Sequence, residues 1–182
     1  MSTPRSRQRV RSVLAALSAC GLAALAWASL VQPDARVIYN ASDSVPVGWY
    51  RIDPLGRQAD LPAVGSIVLI RLPDTVAALA AQRGYLPIGI PLLKRVGAVA
   101  PQKVCVTDSI VRIDGVPVAA ALTTDRQGRL LQAWPGCRRL RHGELFLLST
   151  TNPASFDSRY FGPISTSVVL GVAHPLWLER SQ

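Results

Sequence analysis

The stretch IGIPLLKRVGAVA, residues 88–100, is an apolar run that contains Lys94, one of only two lysines in a chain of 182 residues with twenty basic side chains. Side chains alternate between the two faces of a strand, so Leu92, Lys94 and Val96 share one apolar face. Burial disfavours the charged amine and can lower its pKa from about 10.4 by roughly 3 to 5 units. The alternative is a lysine that extends its amine to the surface, and this stretch alone leaves both open.

The segments around this run predict a mainly β domain. Val, Ile, Leu and aromatic residues are concentrated in short runs separated by Gly, Pro and Asp, which is typical of strands. The six predicted strand segments are 49–52, 65–72, 92–100, 103–113, 144–150 and 168–178. Asp114-Gly115 predicts a type I′ hairpin turn. One short helical excursion is predicted over residues 73–84, where Pro73 stands at the start and Gly84 at the end.

The amino-terminal segment predicts a membrane anchor. Residues 1–12 carry four arginines and no acid, and the nineteen residues 13–31, VLAALSACGLAALAWASLV, carry no charge. As a helix they would span about 28 Å, close to the hydrocarbon thickness of a bilayer. The positive-inside rule places residues 1–12 in the cytoplasm as a basic arm. Residues 32–182 are then a periplasmic domain, with a β-insertion at about 97–145.

Two other interpretations of this segment stay open. Ala26-Trp27-Ala28 resembles a signal-peptide cleavage site, and Leu17-Ser18-Ala19-Cys20 resembles the lipidation motif of bacterial lipoproteins. Each would remove the helix by cleavage. The further apolar stretch after Cys20 argues against lipidation. All three interpretations place the globular part outside the cytoplasm.

The charge pattern argues against nucleic acid as the partner. The formal net charge is +9, but four of these positive charges belong to the arm before the apolar segment. The arginines of the domain are scattered, and no aromatic residues alternate with them as a nucleic-acid groove requires. They include Arg57, Arg71, Arg83, Arg112, Arg126 and Arg129.

The cysteines are compatible with an oxidising compartment. Cys105 and Cys137 remain once Cys20 is assigned to the apolar segment, and they are a disulfide candidate that would close a loop of about thirty residues. Two buried free thiols are the alternative. The chain has neither a CxxC nor an HExxH motif and only two histidines, so the sequence predicts no metal site and no cofactor.

A serine that Lys94 could activate lies in the turn-rich segment YNASDSVPVGWY, residues 39–50. A hydroxyl is a weak nucleophile until a neighbouring base removes its proton, and a desolvated lysine amine is one such base. His142 and His174 are in no context that suggests a Ser-His-Asp triad. Without a base nearby, a serine in a Pro/Gly turn is an ordinary turn residue.

A third polar segment, STTNPASFDSRYFGP at residues 149–163, completes a pattern. An apolar helix, an S-x-P turn, an apolar strand with Leu-Lys-Arg-Val and the F-D-S-R-Y-F-G-P segment follow one another in this order. In that order the chain resembles the type I signal peptidases, and more narrowly the conjugative transfer signal peptidases of the TraF type. The resemblance covers most of the chain after residue 38.

The resemblance implies a signal-peptidase-like β fold and a Ser/Lys dyad. Ser44 corresponds to the nucleophile, and Lys94 to the general base that later protonates the leaving amine. Asp157 matches the acid of the D-S-R-Y motif, which helps to orient the site, with Arg159 as its expected partner.

The resemblance also implies supporting roles for two further serines. Ser155 is expected to hydrogen-bond the lysine, and the Ser42 hydroxyl to assist the backbone N–H of Ser44 in an oxyanion hole. Two departures from the general signal peptidases favour the transfer subgroup. Residues 149–151 read Ser-Thr-Thr where the general enzymes have Gly-Asp-Asn, and Pro46 follows Ser44 by two residues rather than three.

The expected function is therefore that of a serine endopeptidase in the bacterial inner membrane, with a single pass and a periplasmic catalytic domain. Its expected partners are membrane lipid and an exported precursor protein with a pilin-like propeptide. In this subgroup processing can end in hydrolysis or in peptide cyclisation. The alternatives are a non-catalytic periplasmic scaffold of a secretion apparatus and a general housekeeping signal peptidase.

Overall fold

The computed structural model describes residues 4–30, 36–56 and 61–179. The chain divides into two compact units, Met1–Asp34 and Ala35–Gln182. The first unit contains helix α1, Pro4–Leu30, in which Gln8–Trp27 is long and apolar enough to cross a membrane. The helix begins well before the predicted residue 13, because the arm contains arginines, which are good helix formers. Val31 lies outside the described residues. A retained anchor and a signal sequence both fit this length.

The second unit is mainly β, as predicted. In chain order its strands are β1 Arg36–Asn40, β2 Gly48–Asp53, β3 Ile67–Ile70, β4 Leu92–Val99, β5 Lys103–Thr107, β6 Ile110–Ile113, β7 Val116–Ala120, β8 Cys137–Arg139, β9 Glu144–Leu147, β10 Ile164–Ser165 and β11 Val169–Leu178. Its helices are α2 Asp74–Gln82, α3 Ser158–Phe161 and the short 3-10 turn Thr166–Val168. Each predicted strand segment overlaps at least one of these strands.

The strands form two antiparallel sheets. The first has seven strands in the order β1-β2-β11-β3-β4-β9-β10, and the second has four in the order β7-β6-β5-β8. Strand β4 lies inside the first sheet, where it pairs with β3 and β9. Leu92 and Val96 pack in one hydrophobic cluster and Leu93 in another, which confirms the predicted alternation. Lys94 therefore lies on the same face of the sheet as Leu92 and Val96.

Helix α2 is the predicted excursion, shortened at both ends. Pro73 is its N-cap residue, and the chain leaves the helix through Gly84, which has a φ of +68°. Positive φ is accessible to glycine without strain. Ala80 is fully buried, and Val76 and Ala77 pack against the same core cluster as Val96. The helix thus covers the side of the sheet on which Lys94 lies.

The second sheet is held by a tight turn and a disulfide. Asp114 and Gly115 have φ values of 50° and 86°, as a type I′ hairpin requires, and they join β6 to β7. Cys105 and Cys137 face each other across β5 and β8 and are bonded. The strands of this sheet, between residues 103 and 139, fall inside the predicted insertion.

Candidate active site

Ser44 lies in the turn that connects β1 to β2, and Asn40 fixes the shape of this turn. Asn40 is buried at the end of β1. Its side-chain amide donates to the carbonyl oxygens of Ser42, Val45 and Pro46 at 2.7–3.1 Å. Its Oδ1 accepts hydrogen bonds from the backbone N–H and the hydroxyl of Ser42. One side chain thus organises the backbone on both sides of Ser44.

Lys94 is buried with its amine directed at two serines. Its residue is 3% exposed, which excludes a lysine that extends to the surface. Nζ lies 2.9 Å from Ser44 Oγ and 2.5 Å from Ser155 Oγ, and the two hydroxyl oxygens are 3.2 Å apart. The structure therefore brings the predicted nucleophile, base and supporting serine into mutual contact.

The protonation of Lys94 is shifted in the direction that a base requires. Burial lowers the pKa of Lys94 from 10.5 to about 8. The negative charge of Asp157 opposes this shift, while the positive charge of Arg159 adds to it. A substantial fraction of the amine is therefore neutral in mildly alkaline solution and can accept the proton of the Ser44 hydroxyl.

Asp157 and Arg159 form a buried ion pair behind Lys94. Their side chains are 0% and 1% exposed, and the guanidinium donates to both carboxylate oxygens at 2.8 and 2.9 Å. Asp157 also accepts from the backbone N–H of Arg159, as the N-cap of α3, and from that of Ser149. Within the described residues, none of its hydrogen bonds reaches Ser44 or Lys94. Asp157, predicted to be catalytic, therefore lies behind Lys94 without direct contact with either member of the dyad.

Arg159 connects this pair to the segment that carries Ser155. Its guanidinium donates to the carbonyl oxygens of Asn152, Pro153 and Ser155 at 2.9–3.3 Å and to that of Ala120. Charged donors make stronger hydrogen bonds than neutral ones. The buried pair therefore holds the backbone that directs the Ser155 hydroxyl at Lys94.

Two residues that sequence reasoning assigned no role tie this segment to the turn that carries Ser44. Ser149 Oγ donates to the carbonyl oxygen of Ser44 at 2.8 Å, and Asn152 Nδ2 donates to Asp43 Oδ1 at 2.6 Å. Asn40 was missed as well. Ser149 could have been found from its position, because it lies where the chain departs from the Gly-Asp-Asn pattern of the general enzymes. Nothing in the sequence distinguishes Asn40 except its place shortly before Ser42 and Ser44.

The two expected oxyanion donors, the Ser42 hydroxyl and the Ser44 backbone N–H, differ in their hydrogen bonding. The Ser42 hydroxyl donates to Asn40 Oδ1 at 3.0 Å, so its single proton is not directed at the cleft. The expected role of Ser42 is not seen in this arrangement. Among the described residues, no acceptor takes the backbone N–H of Ser44, which is therefore available.

A cleft of about 360 Å³ opens beside Ser44 and Lys94. Its floor is apolar and includes Leu72, Ala80, Leu92 and Phe156. One wall is the loop of residues 123–131, which extends from the second sheet. This cleft is wide enough for a peptide side chain next to the serine and is lined mainly by hydrophobic groups, as ligand pockets commonly are.

The wall loop is fastened by Asp125, whose side chain is only 6% exposed. Its carboxylate accepts from Tyr85, which follows α2, and from the side chain of Arg129. Burial alone would raise the pKa of Asp125, but these hydrogen bonds outweigh it and hold the pKa below its ordinary value. The wall is therefore attached to the α2 side of the cleft by a permanently charged group.

Comparison with known proteins places these residues in a family. Residues 9–177 match the family described as "Signal peptidase, peptidase S26". A conjugal transfer protein TraF of Agrobacterium tumefaciens is 40% identical over 147 residues, covering 76% of this chain and 80% of that protein. The corresponding protein of Agrobacterium fabrum is 36% identical over 176 residues, covering 92% and 96%.

Two further matches are more distant. A plasmid transfer protein TraF of Escherichia coli is 34% identical over 176 residues, which cover 90% of this chain and 92% of that protein. The crystal structure of a signal peptidase I from Enterococcus faecalis aligns with a TM-score of 0.39 and 20% identity, covering 63% of this chain and 98% of that one. With the family match over nearly the whole chain, the chain belongs to the peptidase S26 family of signal peptidases.

Proposed function

We propose that this protein is a membrane-anchored serine endopeptidase that removes leader or terminal peptides from exported precursors. The observation that carries the proposal is the 2.9 Å contact between Ser44 Oγ and the amine of a buried Lys94. A desolvated amine within hydrogen-bonding distance of a hydroxyl is the arrangement that a serine nucleophile needs for activation.

In the first half-reaction, neutral Lys94 accepts the proton of the Ser44 hydroxyl as Oγ bonds to the carbon of the scissile carbonyl. Negative charge then develops on the carbonyl oxygen, and the free N–H of Ser44 is a donor for it. Such a preorganised donor contributes roughly 3 to 4 kcal/mol to transition-state stabilisation in a related case. Ser155 keeps the amine in place through its own contact with Nζ.

The intermediate collapses when the carbon–nitrogen bond breaks and the Lys94 ammonium gives its proton to the leaving amine. An ester between Ser44 and the remaining peptide is left. Lys94 is neutral again and takes a proton from the second nucleophile, which is water in hydrolysis or an amine of the peptide in cyclisation, as that nucleophile bonds to the ester carbon. The bond between this carbon and Ser44 Oγ then breaks, and Lys94 returns the proton to Oγ. Both outcomes use the same residues.

The relatives support the biological part of this proposal. Three of the matched proteins are named for conjugal or plasmid transfer, which supports a role in the maturation of a pilin-like precursor. The apolar helix α1 supports a single-pass location in the bacterial inner membrane, in contact with lipid. The four arginines before it would remain in the cytoplasm, and the catalytic domain would face the periplasm.

The decisive experiment is substitution of the dyad. Ser44→Ala and Lys94→Ala are each expected to lower precursor processing by at least about 10³-fold with the fold retained by circular dichroism. Lys103→Ala is the matched control, because Lys103 is the only other lysine and is exposed on β5. Full processing by the Lys94→Ala protein would refute the dyad.

The same variants separate the two alternatives. A non-catalytic scaffold would support conjugative transfer equally well with Ser44→Ala, whereas a peptidase would not. A general housekeeping enzyme would process a panel of unrelated precursors, whereas the specialised enzyme is expected to process only its own pilin-like precursor.

A further inference from the structure

The side chain of Trp134 lies beyond the catalytic cleft and packs closely against the surrounding backbone. The ring of Trp134 lies so close to Gly136 and Gly162 that a Cβ atom at these positions would lie 1.8 Å and 2.8 Å from it. Real Cβ contacts are not that short, so each glycine is required for the ring to be seated there.

Further contacts restrain the same residue. Its backbone N–H donates to the carbonyl oxygen of Arg159 at 2.8 Å, which connects it to the buried ion pair. Its ring packs on Phe146 at a centroid distance of 6.1 Å, with the Arg138 guanidinium 6.0 Å from the ring. Trp134 is nevertheless only half-buried. A rigid, partly open aromatic ring is a preorganised binding surface.

Trp134 lines a second pocket of about 350 Å³. The apolar residues of this pocket include Leu79 of α2, which is 40% exposed, and Leu131 of the wall loop. Among the described residues that line it, Arg83 is the only charged one and none is acidic. The pocket therefore favours an apolar or aromatic group and disfavours a cationic one.

The second pocket is continuous with the catalytic cleft. Four residues line both: Arg83, Leu131, Phe156 and Tyr160. Arg83 also keeps donors for a ligand at this junction, because its own partners are distant. Its guanidinium is 3.8 Å from Asp125 and 3.4 Å from the Tyr85 hydroxyl, while the nearer Arg129 takes the Asp125 carboxylate.

We infer that the substrate peptide extends from the dyad past Leu131 and inserts an apolar side chain into the pocket beside Trp134. The occupant is a peptide, because the pocket continues the cleft in which the scissile bond would lie, and Arg83 can donate to a backbone carbonyl between the two. This inference rests on the proposed function and adds a distal determinant of substrate choice to it.

The test uses the full chain in detergent micelles and a series of labelled peptides. A small-residue host peptide carries a single Phe, Ser or Lys at each position in turn, and binding to the Ser44→Ala protein is measured by fluorescence polarisation. At one position away from the cleavage site, Phe is expected to bind about tenfold more tightly than Ser, with Lys no better than Ser.

Leu79→Glu is the test variant, because Leu79 lines only the second pocket and lies on the exposed side of α2. It is expected to reduce the Phe preference to less than about twofold. Leu130→Glu is the matched control: Leu130 precedes Leu131 in the wall loop, is 78% exposed and lines neither pocket. It is expected to leave the preference unchanged. Leu79→Ser provides a second, uncharged test of the same position.

The outcomes distinguish the two proposals. Absence of a Phe preference at any distal position, or a preference that survives both Leu79 substitutions, would overturn the inference. Cleavage of the unsubstituted host peptide by the protein with Ser44 intact tests the peptidase separately. A Phe preference without any cleavage would support peptide binding at the second pocket and contradict the proposed peptidase activity.

Discussion

Two acid–arginine pairs lie near Ser44 and Lys94, and they differ in separation and in burial. Asp157 and Arg159 are 2.8 Å apart and fully buried, and their remaining donors and acceptors are all used by the backbone. Asp43 and Arg126 are 3.6 Å apart, with side chains 67% and 72% exposed. The buried pair fixes the chain that surrounds Lys94, whereas the exposed pair lies next to the nucleophile in solvent.

The difference shows that the effect of an ion pair on stability and geometry depends on its burial. A buried charge that loses its partner is left in a medium of low dielectric constant, which is costly. Solvent and salt screen an exposed pair, which contributes about 1 kcal/mol at most. We therefore expect the buried pair to control stability and geometry, and the exposed pair to control only small electrostatic effects.

The largest effect is expected from Asp157→Ala. It leaves Arg159 buried without its carboxylate, so the free energy of unfolding should fall by about 3 to 5 kcal/mol. Arg126→Ala is the matched substitution in the exposed pair, because it leaves the hydrogen bond between Asn152 and Asp43 intact, and it should cost less than about 1 kcal/mol. Urea unfolding of the full chain followed by tryptophan fluorescence measures both.

A double variant sharpens this result. Asp157→Ala with Arg159→Met removes both charges and is expected to recover part of the lost stability, since no unpaired charge remains. Equal losses for Asp157→Ala and Arg126→Ala would contradict the distinction between the two pairs.

The next effect concerns Lys94 itself, which lies between the pairs without a carboxylate in contact. Its pKa is about 8 in the folded protein and 10.5 in the unfolded chain, so the unfolded chain binds more protons between these values. Stability should therefore rise as the pH increases from 8 to 10.5. Lys94→Met should remove this dependence and stabilise the protein near pH 7 by up to about 3 kcal/mol.

Loss of the hydrogen bonds to Ser44 and Ser155 will reduce that gain. Lys103→Met is the control and should leave the dependence of stability on pH unchanged. A decrease in melting temperature for Lys94→Met at pH 7 would show that the amine stabilises the fold rather than straining it.

The pH dependence of catalysis is the third test. In the proposed mechanism the neutral form of Lys94 is the base, so kcat/KM should increase about tenfold per pH unit below pH 8 and become constant above it. Peptide cleavage measured from pH 6 to 10 provides the profile. A profile that is flat between pH 6 and 9 is incompatible with Lys94 as the base.

The smallest effect is expected at the exposed pair. The negative charge of Asp43 raises the pKa of Lys94, so Asp43→Asn should move the midpoint of the pH profile slightly downward. At about 1 M salt the shift should vanish, because the Debye length is then about 3 Å. Arg126→Gln removes the partner of Asp43 but keeps the Asp43 carboxylate, so it should leave the midpoint of the pH profile in place.

The central features of the fold and site could be predicted from local sequence. Alternation in LLKRVGAV placed Lys94 on the face of Leu92 and Val96, although it left open whether the amine is buried, and Asp114-Gly115 predicted the β6–β7 hairpin, because both features depend on neighbouring residues. The pairing of Asp157 with Arg159 was predicted only from the resemblance of the D-S-R-Y motif to the family. Their hydrogen bonds depend on the N-cap geometry of α3. This helix has only four residues, which is too short to be predicted from a sequence pattern.

The residues that were missed act across long separations in the chain. Ser149 meets the carbonyl of Ser44 from 105 residues away, and Asn152 meets Asp43 from 109 residues away. No periodicity records such contacts, because they exist only once β1, β4 and β9 have assembled. Helix α1 extends beyond the predicted membrane span of residues 13–31 at its amino end for a simpler reason: charge marks the edge of a membrane span but does not end a helix.

Asn40 couples the register of the β1–β2 hairpin to the geometry of the candidate active site. It is the last residue of β1, where it pairs with Gly48, and it also holds the turn that presents the nucleophile. A shift of the β1–β2 hairpin by one residue would turn this amide to the opposite face and release the turn. A chain with that register error would lose the turn in which Ser44 meets Lys94, so correct pairing of β1 with β2 is a condition for the proposed activity.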